Sequence, residues 1–249
     1  MELIQEIISF FFGKNFPSVS IIVWLLPLMI LYSACCLEVA YRAKSKWSWK
    51  VGYSRKFFHF SIFSMAGVLQ FLYGVSTVFI LGWAVTLMIV YILVRRGHSR
   101  YYDVLARPQD EPYATRYIAY PYLATFFGGV CSNLFFTGAA PMAGYLIAGF
   151  GDAVGEPVGT KWGRHRYPVF SWGSSVKTYR SVEGSLGVFI ACFIAFLLVL
   201  YSFQADIIWL KILIAAFIAT LVEAISPHGW DNFTSQMTGA LLIHFFLLP

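Results

Sequence analysis

Gly149-Phe150-Gly151-Asp152-Ala153-Val154-Gly155-Glu156-Pro157-Val158-Gly159-Thr160-Lys161 places two carboxylates in a run, 138–159, that is otherwise apolar. A charged side chain at the centre of a membrane helix costs about 2.5 to 3.5 kcal/mol on insertion scales, so packing gives no reason to keep two. Asp152 and Glu156 are four residues apart, which on a helix leaves them about 40° from each other on one face. Gly151, Gly155 and Gly159 recur every fourth residue along the same helix. Such a stripe of small residues lets a second helix or a ligand approach the backbone, and taken alone it reads as helix packing. Downstream the chain passes through a basic loop and re-enters apolar sequence through Arg180-Ser181-Val182-Glu183-Gly184-Ser185.

The rest of the chain explains the apolar setting. Of its 249 residues 59% are hydrophobic and only 12% charged, where a soluble domain carries about a quarter charged. A spanning helix needs about 20 mostly apolar residues. Seven segments qualify, at 18–42, 56–73, 76–94, 117–136, 138–159, 182–203 and 207–226. A shorter run, 236–248, reads as a re-entrant or interfacial piece. Backbone groups facing lipid must find partners inside their own segment, so every span is expected to be helical. The prediction is an all-α polytopic membrane protein with a single domain, 1–249. Residues 1–17 read as an amphipathic interfacial stretch, because Glu2 and Glu6 stand where a secretory signal carries positive charge. Cys35, Cys36, Cys131 and Cys192 all fall within spans and lack metal-ligand spacing, so they read as small packing residues.

Charge fixes an expected orientation. Loop 42–56 carries Arg42, Lys44, Lys46, Lys50, Arg55 and Lys56. Loop 95–116 carries Arg95, Arg96, Arg100, Arg107 and Arg116, and loop 160–181 carries Lys161, Arg164, Arg166, Lys177 and Arg180. These are 16 of the 18 Lys and Arg, and they follow spans one, three and five. The positive-inside rule makes that side cytoplasmic and puts the N-terminus opposite. Anionic head groups account for most of the net charge of +6, and no nucleic-acid partner is needed.

The same parity brings Asp152, Glu156, Glu183, Glu223 and Asp231 to the basic mouth. Carboxylates beside clustered cations suit a Mg²⁺ ion that bridges protein and substrate phosphates, with Arg and Lys on the remaining phosphate oxygens. Phosphoryl transfer needs little beyond positioning and charge stabilisation, so nucleotide-dependent transfer at a membrane face is the leading reading. Gly155-x-x-x-Gly159-Thr160-Lys161 lacks the P-loop order and a preceding strand, and is set aside. Gly149-Phe150-Gly151 is set aside as a dinucleotide fingerprint because position 154 is Val.

Four motifs stand in order on this face: Arg55-Lys56-x-x-His59; Gly151-Asp152-x-x-Gly155-Glu156-x-x-Gly159-x-x-x-Gly163; Arg180-Ser181-Val182-Glu183-Gly184-Ser185; and Glu223-Ala224-x-Ser226-x-x-Gly229-x-Asp231-Asn232. Together they resemble the polyprenol kinase family, which includes phytol, farnesol and dolichol kinases and is similar to the phosphatidate cytidylyltransferases. The resemblance covers about 51–240 as a catalytic region. It implies an all-helical membrane enzyme that moves the γ-phosphate of CTP to a lipid alcohol with Mg²⁺. Asp152 matches the family's Gly-Asp, Glu183 its Glu-Gly-Ser, and Asp231 with Asn232 its Asp-Asn pair. The stretch 167–179 looks longer than usual, and Arg180 stands where a Lys is common.

On that basis Asp152, Asp231 and Glu223 are the candidate metal ligands. Glu156 or Glu183 would complete the shell or accept the hydroxyl proton. Arg55, Lys56, Lys161, Lys177, Arg180 and Asn232 are the candidate nucleotide contacts. Arg55 and Lys56 read equally as head-group anchors. His59 reads as a catalytic part or as a satisfied core histidine, and His228 as a site neighbour. The expected partners are a lipid alcohol, a nucleoside triphosphate and membrane lipids, with the oligomeric state open. A cytidylyltransferase joining CMP to a lipid phosphate is the alternative. An ion-coupled transporter fits less well, since the opposite loops offer only Asp206 where intramembrane acids or broken helices on both sides are expected.

Overall fold

A computed structural model of the chain describes residues 2–171 and 178–248. The elements in order are α1 (Glu2–Ser9), leading into a π-helical turn Phe10–Lys14; α2 (Val19–Lys46); α3 (Val51–Tyr73); α4 (Val75–Arg95); α5 (Tyr102–Leu105); α6 (Arg116–Phe135); α7 (Ala139–Trp162); strands β1 (Arg166–Val169) and β2 (Thr178–Ser181); α8 (Val182–Ser202); α9 (Trp209–Ile225); and α10 (Asp231–Leu242), which runs on as a π-turn Ile243–Leu247. Each of the seven apolar runs is therefore one long helix. Local chemistry sets several ends. The Ser18 and Ser181 hydroxyls cap α2 and α8 by accepting from Ile21 N and Gly184 N. Gly74, at φ 78°, ends α3 and starts α4 with no linker between them, a backbone state that favours glycine.

Three described helices, α2, α4 and α8, are long and apolar enough to cross a membrane on their own, where seven were expected. The other four differ for visible reasons: α3 and α7 carry the charged residues of the mouth, α6 opens on Arg116 and is rich in Tyr and Gly, and α9 has 17 residues. Many large apolar side chains nonetheless point outward, among them Leu186, Ile190, Ile194 and Leu198 at every fourth position of α8 and Leu210, Ile214, Phe217 and Leu221 on α9. That is the pattern of helices whose outer face meets lipid rather than water.

α7 is the central element. Ala139 through Gly149 are buried on every side, with α3, α8 and α10 packed around them. The glycine stripe is filled by α8: a Cβ on Gly155 would lie 2.6 Å from Val188 Cγ2, and one on Gly184 would lie 2.9 Å from the Gly155 carbonyl. A similar crossing joins α7 to α10, where a Cβ on Gly144 would lie 2.6 Å from the Gln236 carbonyl. Small residues thus set how closely the helices approach. One apolar core lies among α7, α8, α9 and α10, with Phe196, Ile212 and Ile243 fully enclosed. Others lie between α2, α3, α4 and α7 and around α5.

One expectation needs correction. The run 236–248 is not an interfacial piece: α10 begins at Asp231 and lies against α6 and α7, with Gln236 fully buried. Its first turns are polar, so hydropathy hid them, but those groups bond inward: the Asn232 amide donates to the Pro121 carbonyl and to Thr125 Oγ1, and the Gln236 amide to the Thr125 carbonyl. The fold is all-α as expected, with one short hairpin besides the helices. Arg166 to Val169 pairs antiparallel with Thr178 to Ser181, a hairpin that stands between α7 and α8. Residues 172–177 of the long stretch, including Lys177, lie outside the described residues.

Candidate active site

Two charged walls face each other at the end of the bundle where α3, α6, α8 and α10 begin and α7 and α9 end. The first joins α3 to α7. Arg55 Nη2 meets Glu156 Oε2 at 2.9 Å, Lys56 Nζ meets Glu156 Oε2 at 3.2 Å and also contacts Asp152 Oδ2, and His59 Nε2 lies 3.4 Å from that same Asp152 oxygen. The four-residue spacings on both helices cause this. Residues 55 and 59 share a face of α3, and residues 152 and 156 share a face of α7, so the faces mate once Gly52 lets α3 close on Glu156.

The second wall is built on Arg180 from β2. Its Nε meets Glu223 Oε1 and its Nη2 meets Asp231 Oδ2, both at 3.0 Å. Nη1 donates to the backbone carbonyls of Glu223, Ala224 and Ser226. These carbonyls lie at the end of α9, where that of Glu223 also accepts from Ser226 N, so Arg180 caps that helix as well as pairing two acids.

Arg107 links the walls from the α5–α6 connection. It holds Asp110 through Nε at 2.8 Å, lies 3.5 Å from Glu156 Oε1 and donates to His228 Nε2 at 2.5 Å. Burial, with this guanidinium beside it, pushes His228 down to about 4. An Nε2 that accepts from Arg107 belongs to a neutral ring.

A cavity of about 570 Å³ opens between the walls, polar on much of its surface and bordered by Arg166, Thr160 and Lys50 as well as the ion pairs. A second cavity, of about 110 Å³, runs inward between α3, α4 and α6 and is lined mostly by apolar side chains such as Phe58, Ile62 and Ile89. Arg55, Lys56, Asp152, His228 and Asp231 border both. The charged cluster is thus the boundary between a polar chamber and an apolar one.

Of the residues expected at the site, Arg55, Lys56, Asp152, Glu156, Arg180, Glu223 and Asp231 border the polar cavity. His59 and Asn232 border the apolar one, and both Asn232 amide donor contacts go to α6. Two residues stand elsewhere. Glu183 faces out at the base of the hairpin, accepting from the Arg164 and His165 backbone N–H and from the His165 ring. Lys161 stacks on the Trp162 ring at 4.6 Å. In the sequence Lys50, Arg107 and Arg166 stand out only as loop charges. Their loops fold back over the mouth, and no local pattern announces that.

Among the described residues, no group of three or more His, Cys, Asp or Glu side chains is placed to hold a metal unaided. Mg²⁺ carried by phosphates needs only one or two protein carboxylates and keeps several waters. Asp152, Glu223 and Asp231 all border the polar cavity and are hard oxygen donors, so the donor set fits such an ion.

No family model and no solved structure matches the chain. Over 101 residues it is 35% identical to phytol kinase from Synechocystis sp., a stretch that covers 40% of this chain and 41% of that protein. The chain is similar to a phytol kinase over less than half the length of either.

Proposed function

We propose that this chain is a membrane kinase that transfers the γ-phosphoryl group of CTP to the hydroxyl of an isoprenoid alcohol. The observation that carries the reading is the shared border of the two cavities. A triphosphate suits the polar chamber, an isoprenoid tail suits the apolar one, and the groups common to both are the acids and cations that phosphoryl transfer uses. The stretch similar to phytol kinase supports the lipid-alcohol acceptor. On this reading the seven long helices cross the membrane as one domain, and the basic mouth faces the cytoplasm.

Asp152 and Asp231 would hold Mg²⁺, with Glu223 beside them, and the ion would neutralise charge on the β- and γ-phosphate oxygens. Lys56 and Arg180 neutralise those carboxylates in the free chain, and turn to phosphate oxygens when nucleotide binds. Arg55 and Arg107 hold Glu156 and keep the chamber positive. In the transfer the lipid hydroxyl oxygen forms a bond to the γ-phosphorus as the bridging P–O bond breaks. CDP leaves, and the hydroxyl proton passes to Glu156, which borders the polar cavity.

Purified protein incubated with γ-labelled CTP and phytol or farnesol tests this. Label recovered in lipid is the expected result. Pyrophosphate release with cytidine joined to lipid would make it a cytidylyltransferase instead.

A further inference from the structure

The apolar cavity has a neighbour deeper in the bundle. Ile62, Phe63, Val85, Tyr122 and Thr125 also line a third cavity of about 230 Å³, so only these side chains stand between the two. Together they run along α6 from Tyr117 to Val130, a rise of about 20 Å at 1.5 Å per residue. The far end is bordered by a segment outside the bundle. Phe11, Phe12 and Phe16 line it, Phe11 stacks on Phe79 of α4 at 5.4 Å, and Phe16 lies 5.8 Å from Trp83. One wall position is deliberately small. A Cβ on Gly82, in mid-α4, would meet no atom within 4 Å, so the space beside it is open cavity.

We infer that the two adjoining cavities join into one channel that seats the isoprenoid tail, and that Phe11, Phe12, Phe16 and Gly82 set the length of tail the enzyme takes. The inference rests on the proposed kinase reading, because the junction at Asp152 is what places a lipid hydroxyl at the channel's inner end. Burial of a methylene chain against these walls contributes with each added carbon until the phenyl rings stop it. The aromatic plug meets the chain's end, and glycine at 82 leaves the bore open just before it.

The test uses the full-length chain in nanodiscs with geraniol, farnesol, phytol and solanesol as acceptors. Gly82→Leu grows a side chain into open space, so folding is expected to survive. It is expected to lower kcat/KM for phytol relative to geraniol by about tenfold or more, the scale on which misfit methylenes are rejected. Phe11→Ala with Phe16→Ala is expected to raise relative activity on solanesol. Independently, a phytol analogue carrying a diazirine at its tail end is expected to label Phe10–Phe16 or α4, and excess phytol is expected to compete that label away.

Label at the N-terminal segment without transfer to any alcohol would remove the kinase reading and keep the channel. Transfer with unchanged length selectivity in both variants, and label elsewhere, would remove the channel and keep the kinase. Label that phytol does not displace would mark a groove for bulk lipid and overturn the inference.

Discussion

On the α3–α7 wall, Arg55 and Lys56 reach carboxylate oxygens of Asp152 and Glu156, whereas on the opposite wall Arg180 divides its donors between two carboxylates and three backbone carbonyls. Both walls are largely buried ion pairs, but they are committed to different degrees. A cation held only by side-chain carboxylates can exchange them for phosphate without disturbing the backbone. Arg180 can lend Nη2 to a ligand while Nη1 continues to hold the end of α9. Lys56 and Arg180 therefore suit their places: a point charge on one side, a rigid fork with several directed donors on the other.

The largest expected effect tests the mobile wall. Asp152→Asn keeps the shape but removes the charge that Lys56 and His59 face, so transfer to lipid should fall by about 10³-fold. Circular dichroism and size-exclusion profiles should stay those of the wild type. Near-normal turnover would mean that this wall is structural too, and that the contrast between the walls is illusory.

Next comes the committed wall. Arg180→Ala strands two acids and three carbonyls, and should cost about 3 to 5 kcal/mol in unfolding experiments in detergent. Arg180→Lys keeps the charge but lacks the fork, and should still lose about 1 to 3 kcal/mol, the cost of unmet buried acceptors. Lys56→Arg should change stability by less than about 1 kcal/mol. Equal losses in the two conservative variants would erase the distinction.

The smallest effect concerns the bridge between the walls. His228 is held down at about 4, against an ordinary value of 6.5. Between those values the unfolded chain binds the proton and the folded chain does not. Stability is therefore complete above about pH 6.5 and declines as pH falls toward 4, in the direction set by linkage. His228→Gln should flatten that part of the pH–stability curve. An unchanged slope would show that other groups carry it.

The positions of the long helices were legible because hydropathy and length are local properties. The mating of Arg55, Lys56 and His59 with Asp152 and Glu156 was half legible: the spacing showed which residues share a face, and span parity showed that the faces lie at one end. The role of Glu183 was hidden because its hydrogen bonds run to the backbone of Arg164 and His165, and a sequence pattern registers only the side chain. Arg107 escaped because its partners, Glu156 and His228, are 49 and 121 residues away. The polar start of α10 escaped for the opposite reason, since Asn232 and Gln236 look like solvent-facing residues until α6 supplies their partners. The glycine stripe offered helix or ligand as its occupant, and the choice of α8 required the second helix to be in place.

The absence of any linker between α3 and α4 has a consequence for how the chain is made. With only Gly74 between them, the two helices have no slack, and in the proposed membrane topology they would enter the bilayer together as one hairpin. α4, apolar enough to insert on its own, then carries in the partner that bears Arg55, Lys56 and His59, whose charge weighs against inserting alone. On the proposed reading α3 need not be a good membrane segment by itself, because during biosynthesis it would travel with one.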